Sequence, residues 1–98
     1  MHARVAFFHV KPGKRDEAVS IFRDFVIPAA KKQKDFSGGL LLTDPAKGKG
    51  ISIGLWESAE DMVASEASGF YQGWVDKLKG IFELAPFMEH YEVSSKEI

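Results

Sequence analysis

Two histidines and one tyrosine carry most of the proton chemistry available to this sequence. His9 stands in Ala-Arg-Val-Ala-Phe-Phe-His-Val-Lys (3–11) and His90 in Phe87–Val93. Imidazole is the natural proton carrier near neutral pH, so both are candidate catalytic residues. The bland alternative for each is a hydrogen-bonded strand or interface histidine; His2 is terminal. Tyr71 and Trp74 are spaced i, i+3, which places them on one face of a helix. Opposite them would lie Phe8, Phe22 and Trp56. Such an aromatic-rich space suits a planar aromatic ligand, held by the Tyr71 hydroxyl or an indole N–H. Tyr71 therefore joins the candidate catalytic residues. Phe8, Phe22, Trp56 and Trp74 are the candidate substrate-binding residues. The alternative is that these aromatics simply fill a core.

Other chemistries find less support. There is no cysteine, hence no disulfide, thiol nucleophile or thiolate metal site. His9 and His90 with Glu89 or Glu92 lack any HxH or HExxH spacing, so no metal and no cofactor is expected. Lys47-Gly48-Lys49 lacks the Walker pattern and reads as a hairpin tip. No Ser-His-Asp arrangement has usable spacing. Thirteen Lys+Arg against fourteen Asp+Glu give a net charge of -1, which argues against nucleic acid as a partner. No apolar run approaches the roughly 20 residues of a membrane helix. Met1-His2-Ala3-Arg4 runs straight into a strand-like segment without a signal-peptide layout, so a cytoplasmic protein is expected.

These residues need elements to hold them. Residues 3–11 read as a strand, with Val5, Phe7 and His9 on one face and Ala6, Phe8 and Val10 on the other. After the Pro12-Gly13 break, Ala18, Phe22, Phe25, Val26 and Ala29 form a helical stripe. Asp16 and Glu17 sit in its first turn and Lys31, Lys32 and Lys34 in its last. Pro28 is expected to kink the helix near its end. Leu40–Thr43 and residues 51–57 pair as strands across the loop Asp44–Gly50. Ser58 with Asp61 resembles a capping box that opens a helix over 59–67. Ser68-Gly69 bends the chain. Tyr71, Trp74, Val75, Leu78 and Phe82 then give a second helical stripe, ended by Pro86. Phe87–Val93 is the last strand, and 94–98 a polar, frayed tail.

The order β-α-β-β-α-β is the ferredoxin-like split arrangement: an α+β fold with an antiparallel sheet and helices on one face. Its 98 residues make one domain, 1–98, with a core of 3–93. Both sheet faces are apolar and the helices cover only one. A partner sheet is therefore expected on the other, making the chain half of a homodimer.

Four segments resemble antibiotic biosynthesis monooxygenase-like proteins of the dimeric α+β barrel superfamily. They are Val10-Lys11-Pro12-Gly13, Asp35-Phe36-Ser37-Gly38, Leu55-Trp56-Glu57-Ser58-Ala59-Glu60-Asp61 and Tyr91-Glu92-Val93. Each has its own scaffold reason: a sharp turn, a glycine backbone or a helix cap. The resemblance implies a dimeric α+β barrel. It also implies a small cofactor-independent monooxygenase acting on a hydrophobic aromatic or quinol-like substrate. A non-catalytic dimeric protein binding a small hydrophobic or aromatic ligand would use the same scaffold. The haem-degrading branch of the superfamily uses an Asn, a Trp and a His. Here those places fall on Ala6, about Ser65 and about Val75, which argues against haem binding or degradation.

Overall fold

In the computed structural model, which describes residues 1–97, four strands form one antiparallel sheet in the order β2-β3-β1-β4. The strands are β1 (His2–Val10), β2 (Phe36–Asp44), β3 (Lys49–Trp56) and β4 (Phe82–Glu92). Helices α1 (Arg15–Ile21) and α2 (Ile27–Ala30) precede β2, and α3 (Ala59–Ala67) and α4 (Phe70–Lys77) precede β4. This is the α+β ferredoxin-like arrangement that the element order predicts. The central strand β1 alternates as read. Ala6, Phe8 and Val10 are buried under the helices, while Val5, Phe7 and His9 lie on the other face. The main core joins the first three to Ala18, Phe22, Val26, Trp74, Leu78, Ile81 and Phe82.

The first helical region departs from the predicted stripe. Between α1 and α2, Phe22–Val26 form a π turn, in which the Ile27 N–H reaches back to the Phe22 carbonyl. Pro28, two residues on, has no N–H to give the Asp24 carbonyl, and its ring crowds an ordinary helical turn. The wider turn absorbs that conflict, and the helix continues to Ala30. It also stretches the period beyond 3.6 residues per turn. The buried positions become every fourth residue, Ala18, Phe22, Val26 and Ala30. Phe25 and Ala29, expected in the stripe, are turned outward, and Phe25 is 54% exposed.

The last strand starts at Phe82, earlier than the predicted Phe87. Helix α4 ends at Lys77, and Phe82 opens β4 rather than closing the helical stripe. Phe82 packs on Phe8 with ring centres 5.4 Å apart. The sequence spacing fits either role, because i+11 is a helical position whatever the chain does after Lys77. Pro86 therefore lies inside the strand. It is tolerated because β4 is an edge strand and its register against β1 slips there, from Phe7↔Phe87 to His9↔Leu84.

Helix α3 begins as predicted. The Ser58 hydroxyl accepts the Asp61 N–H at 3.1 Å, with Glu60 and Asp61 in the first turn. Ser58→Ala is expected to cost about 1 kcal/mol. For a chain of this size that is a fall in Tm of roughly 4–8 °C, readable by calorimetry.

Candidate functional site

The sheet separates the two candidate histidines. His90 pairs in register with Arg4 and lies on the helix side, where its Nε2 is 2.7 Å from Glu66 Oε2. His9 is near the other end of β1, on the uncovered face, beside Phe7, Ile51, Leu84 and Phe87. They cannot act on one bound molecule within a protomer.

The group that organises the helix side is Arg4, which the sequence reading placed on a strand but did not single out. Its position alternates with Ala3 and Val5, in phase with Ala6 and Phe8, so β1 carries it under the helices. It is 4% exposed. Its Nη1 donates to Ser65 Oγ at 2.9 Å and lies 3.3 Å from Glu66 Oε2. Ser65 in turn donates to the Met62 carbonyl at 2.7 Å. Three aromatic rings surround the guanidinium, with centres 4.6 Å (Trp56), 5.0 Å (Tyr71) and 5.7 Å (Phe70) away. Aromatic faces attract a cation, more strongly where water is excluded. Burial lowers the Arg4 pKa, and the hydrogen bond and charge of Glu66 oppose that shift. One oxygen, Glu66 Oε2, thus serves both the buried Arg4 and the partly exposed His90. A cation in phase with an apolar face was the one signal in the sequence.

Two adjoining spaces lie between the helices and the sheet. The inner one is a cavity of about 20 Å³, lined by Arg4, Phe22, Ser52, Trp56, Phe70 and Trp74 among others. That is room for about one water molecule. The outer one is an open groove of about 610 Å³ between the π turn and α4, within the range of small-molecule sites. The outward-turned Phe25 and Ala29 border it, with Gln33, Lys77 and the α3–α4 junction at Ser68-Gly69. Val26, Phe70 and Trp74 border both spaces and so divide them. The π turn therefore builds the groove: it sends Val26 inward and Phe25 to the rim.

Of the predicted substrate-binding residues, Phe22, Trp56 and Trp74 line the inner cavity. Phe8 is buried deeper in the core against Phe82. Tyr71 stacks edge-on against Trp74 at 5.0 Å and faces Arg4. Burial raises the Tyr71 pKa, with the Arg4 charge acting against it, so its hydroxyl stays protonated near neutral pH.

Trp56 is 1% exposed, and its Nε1 is the buried side-chain nitrogen without a hydrogen-bond partner among the described residues. Leaving such a donor unsatisfied costs about 1–3 kcal/mol. The indole lies across Gly54, where a Cβ would meet its Cζ3 at 2.6 Å. Gly54→Ala is therefore expected to displace the indole and destabilise the fold by about 1–3 kcal/mol. Urea unfolding and a shift in tryptophan emission would read both effects; an unchanged spectrum would contradict the packing.

The uncovered sheet face is apolar. Leu40, Leu42, Leu84, Phe87 and Tyr91 are 47–63% exposed there, and Phe7 stacks on Phe87 at 5.1 Å. Among the described residues, no cluster of His, Asp and Glu could hold a metal ion, and no helix is long and apolar enough to cross a membrane.

No protein-family model matches the sequence, and no curated protein matches it. Solved structures do. The chain resembles SnoaB, a cofactor-independent oxygenase from Streptomyces nogalater, solved as a mutant. There the TM-score is 0.79 at 17% identity, over 97% of this chain and 94% of that one. It also resembles a monooxygenase from the gene ActVA-Orf6 of Streptomyces coelicolor, solved with the ligand nanaomycin D. That match has a TM-score of 0.81 at 14% identity, over 99% and 90% of the two chains. An antibiotic biosynthesis monooxygenase matches with a TM-score of 0.75 at 14% identity, over 97% of this chain and all of that one. The likeness is one of fold, the α+β ferredoxin-like arrangement of these proteins.

Proposed function

We propose that this chain is a small cofactor-independent oxygenase that acts, as a homodimer, on a hydrophobic aromatic or quinol-like substrate. The observation that carries the reading is the buried Arg4, ringed by three aromatic side chains beside a small inner cavity that shares Val26, Phe70 and Trp74 with the apolar groove. The fold likeness to the cofactor-independent oxygenase SnoaB supports it.

An anthrone illustrates the chemistry. Loss of a proton from its CH2 carbon, or from the hydroxyl of its phenol form, gives a delocalised anion. That anion passes electrons to O2, and a peroxide forms at the carbon. Loss of water then leaves a carbonyl. One oxygen atom ends in the product and the other in water, so carbon is oxidised and O2 reduced without a bound cofactor. Arg4 stabilises the anion in a site shielded from solvent, where its charge acts strongly. Among the candidate histidines, His90 shares Glu66 with Arg4 and takes the proton outward to solvent. Tyr71, held neutral, donates a hydrogen bond to the substrate. His9 belongs to the face that packs on the partner sheet.

The test is oxygen uptake with a panel of quinols and anthrones, run aerobically and anaerobically. Uptake above a heat-killed control with at least one member is expected. No uptake across the panel, with tight retention of a ligand of unchanged mass, would make the chain a binding protein instead.

A further inference from the structure

Among the residues that line the groove between the π turn and α4, Lys77 alone is charged. We infer that the groove takes an aromatic ligand bearing a carboxylate at its outer end, and that Lys77 is the residue that selects it. This rests on the proposed oxygenase reading, with the groove as the substrate site, and adds the substituent that the substrate carries and the residue that reads it.

Four observations lead there. Lys77 stands in the last turn of α4, and its Nζ lies over the Phe25 ring, 4.5 Å from the centre. Phe25 belongs to the π turn on the opposite wall, so the ammonium reaches across the groove. That ammonium has no ion-pair partner among the described residues. The acids next to the two side chains are engaged elsewhere: Asp76 accepts from Gln72 at 2.8 Å, and Asp24 accepts from Arg23 at 3.0 Å. The other polar side chains of the groove are neutral. The Ser68 hydroxyl already donates to the Ser65 carbonyl at 2.8 Å, while the Gln33 amide can donate to a second carboxylate oxygen. Finally, Gly73 lies inside α4, where glycine is less stable than alanine, and a Cβ there would meet nothing within 4 Å. Its missing side chain leaves the helix bare along the groove, a surface on which a flat ring can lie. An ammonium on an exposed aromatic face is held weakly. A carboxylate offers it a full charge, and the Phe25 face so freed packs on the ligand. A neutral amide or hydroxyl leaves the ammonium partly desolvated with no charge in return. One lysine matches one negative charge, whereas a phosphate calls for several donors or an arginine fork.

The test titrates 2-naphthoate and 2-naphthamide, alike in ring and shape and different in charge, into the intact chain by calorimetry. The wild type is expected to bind the carboxylate about fivefold more tightly than the amide, the effect of an ion pair at a partly exposed site. Lys77→Met keeps the apolar stem and removes the charge, so its two affinities should be equal. Lys77→Arg should keep the preference. Lys77 is exposed, so both variants leave the core intact. In a nitrogen–proton NMR spectrum the Gly69 and Gly73 backbone signals are expected to move with 2-naphthoate. Gly73→Leu, which fills the groove, should abolish binding of both probes. Failure of both probes to bind, equal wild-type affinities, or a preference that survives Lys77→Met would overturn the inference. So would undiminished binding by Gly73→Leu, or shifts confined to the uncovered sheet face. A carboxylate preference set by Lys77, without oxygen uptake from any quinol or anthrone, would leave this site standing and remove the oxygenase reading. Equal oxygen uptake from anthrones with and without a carboxylate, unchanged in Lys77→Met, would do the reverse.

Discussion

Arg4→Met should lower stability by about 2–3 kcal/mol and remove any preference for ligands ionised on the aromatic ring system. Breaking a buried ion pair by deleting one partner costs about 3–5 kcal/mol, because the other charge is left uncompensated. The cost falls at or below the lower end of that range because the Glu66 side chain keeps 19% of its surface exposed and still faces His90. Methionine retains the apolar stem among Trp56, Phe70 and Tyr71, so lost packing adds little. The expected fall in Tm is roughly 10 °C or more for a chain this short. The double variant Arg4→Met/Glu66→Gln separates charge from shape. If the loss comes from the unpaired carboxylate, removing it should restore about half or more of the stability. Selectivity for the ring anion should stay absent in the double variant, because it depends on the cation and not on the pair. Equal melting of Arg4→Met and wild type would mean that the Arg4–Glu66–His90 chain carries no energy.

Phe7→Asp should convert a dimer into a monomer. Phe7 and Phe87 form a stacked pair on the uncovered face, flanked by Leu40, Leu42, Leu84 and Tyr91. A face this apolar is an interface or a liability. In a two-fold dimer the substitution enters twice, once from each protomer. An unpaired carboxylate buried between two sheets costs several kcal/mol, so a dissociation constant should rise by a factor of at least about a thousand. Sedimentation should then report a species of 10.9 kDa, with twice that mass for the wild type. Phe7→Leu, which keeps the face apolar, should remain dimeric. A wild-type chain that sediments as a monomer at micromolar concentration would contradict the dimer outright.

The sequence made the scaffold readable wherever short-range physics decides it. Strict alternation in β1 placed Ala6, Phe8 and Val10 under the helices, and Ser58 announced the start of α3. Two features depended on competing constraints. Phe82 satisfies a helical spacing and a strand start equally well, and only its contact with Phe8 decides between them. The π turn is a compromise between Pro28 and the need to keep a stripe against the sheet. That compromise determined which side chains form the groove.

The site was legible as a composition and obscure as an arrangement. Phe22, Trp56 and Trp74 do meet around one space. Phe8 goes elsewhere because Gly50 lets its ring lie flat in the core, where a Cβ at Gly50 would come within 2.3 Å of it. Arg4 went unnoticed because its partners, Ser65 and Glu66, are more than 60 residues away along the chain. No local window contains them. The two histidines looked equivalent on neighbouring strands, and strand parity alone put them on opposite faces.

The central claim is that O2 oxidises a substrate held as an anion against Arg4. It is tested most directly by supplying ¹⁸O2 to the wild-type chain with an anthrone and weighing the product. The account predicts one heavy oxygen atom in the quinone, and none above background with Arg4→Met. A quinone without the label, or equal labelling by Arg4→Met and the wild type, would contradict it.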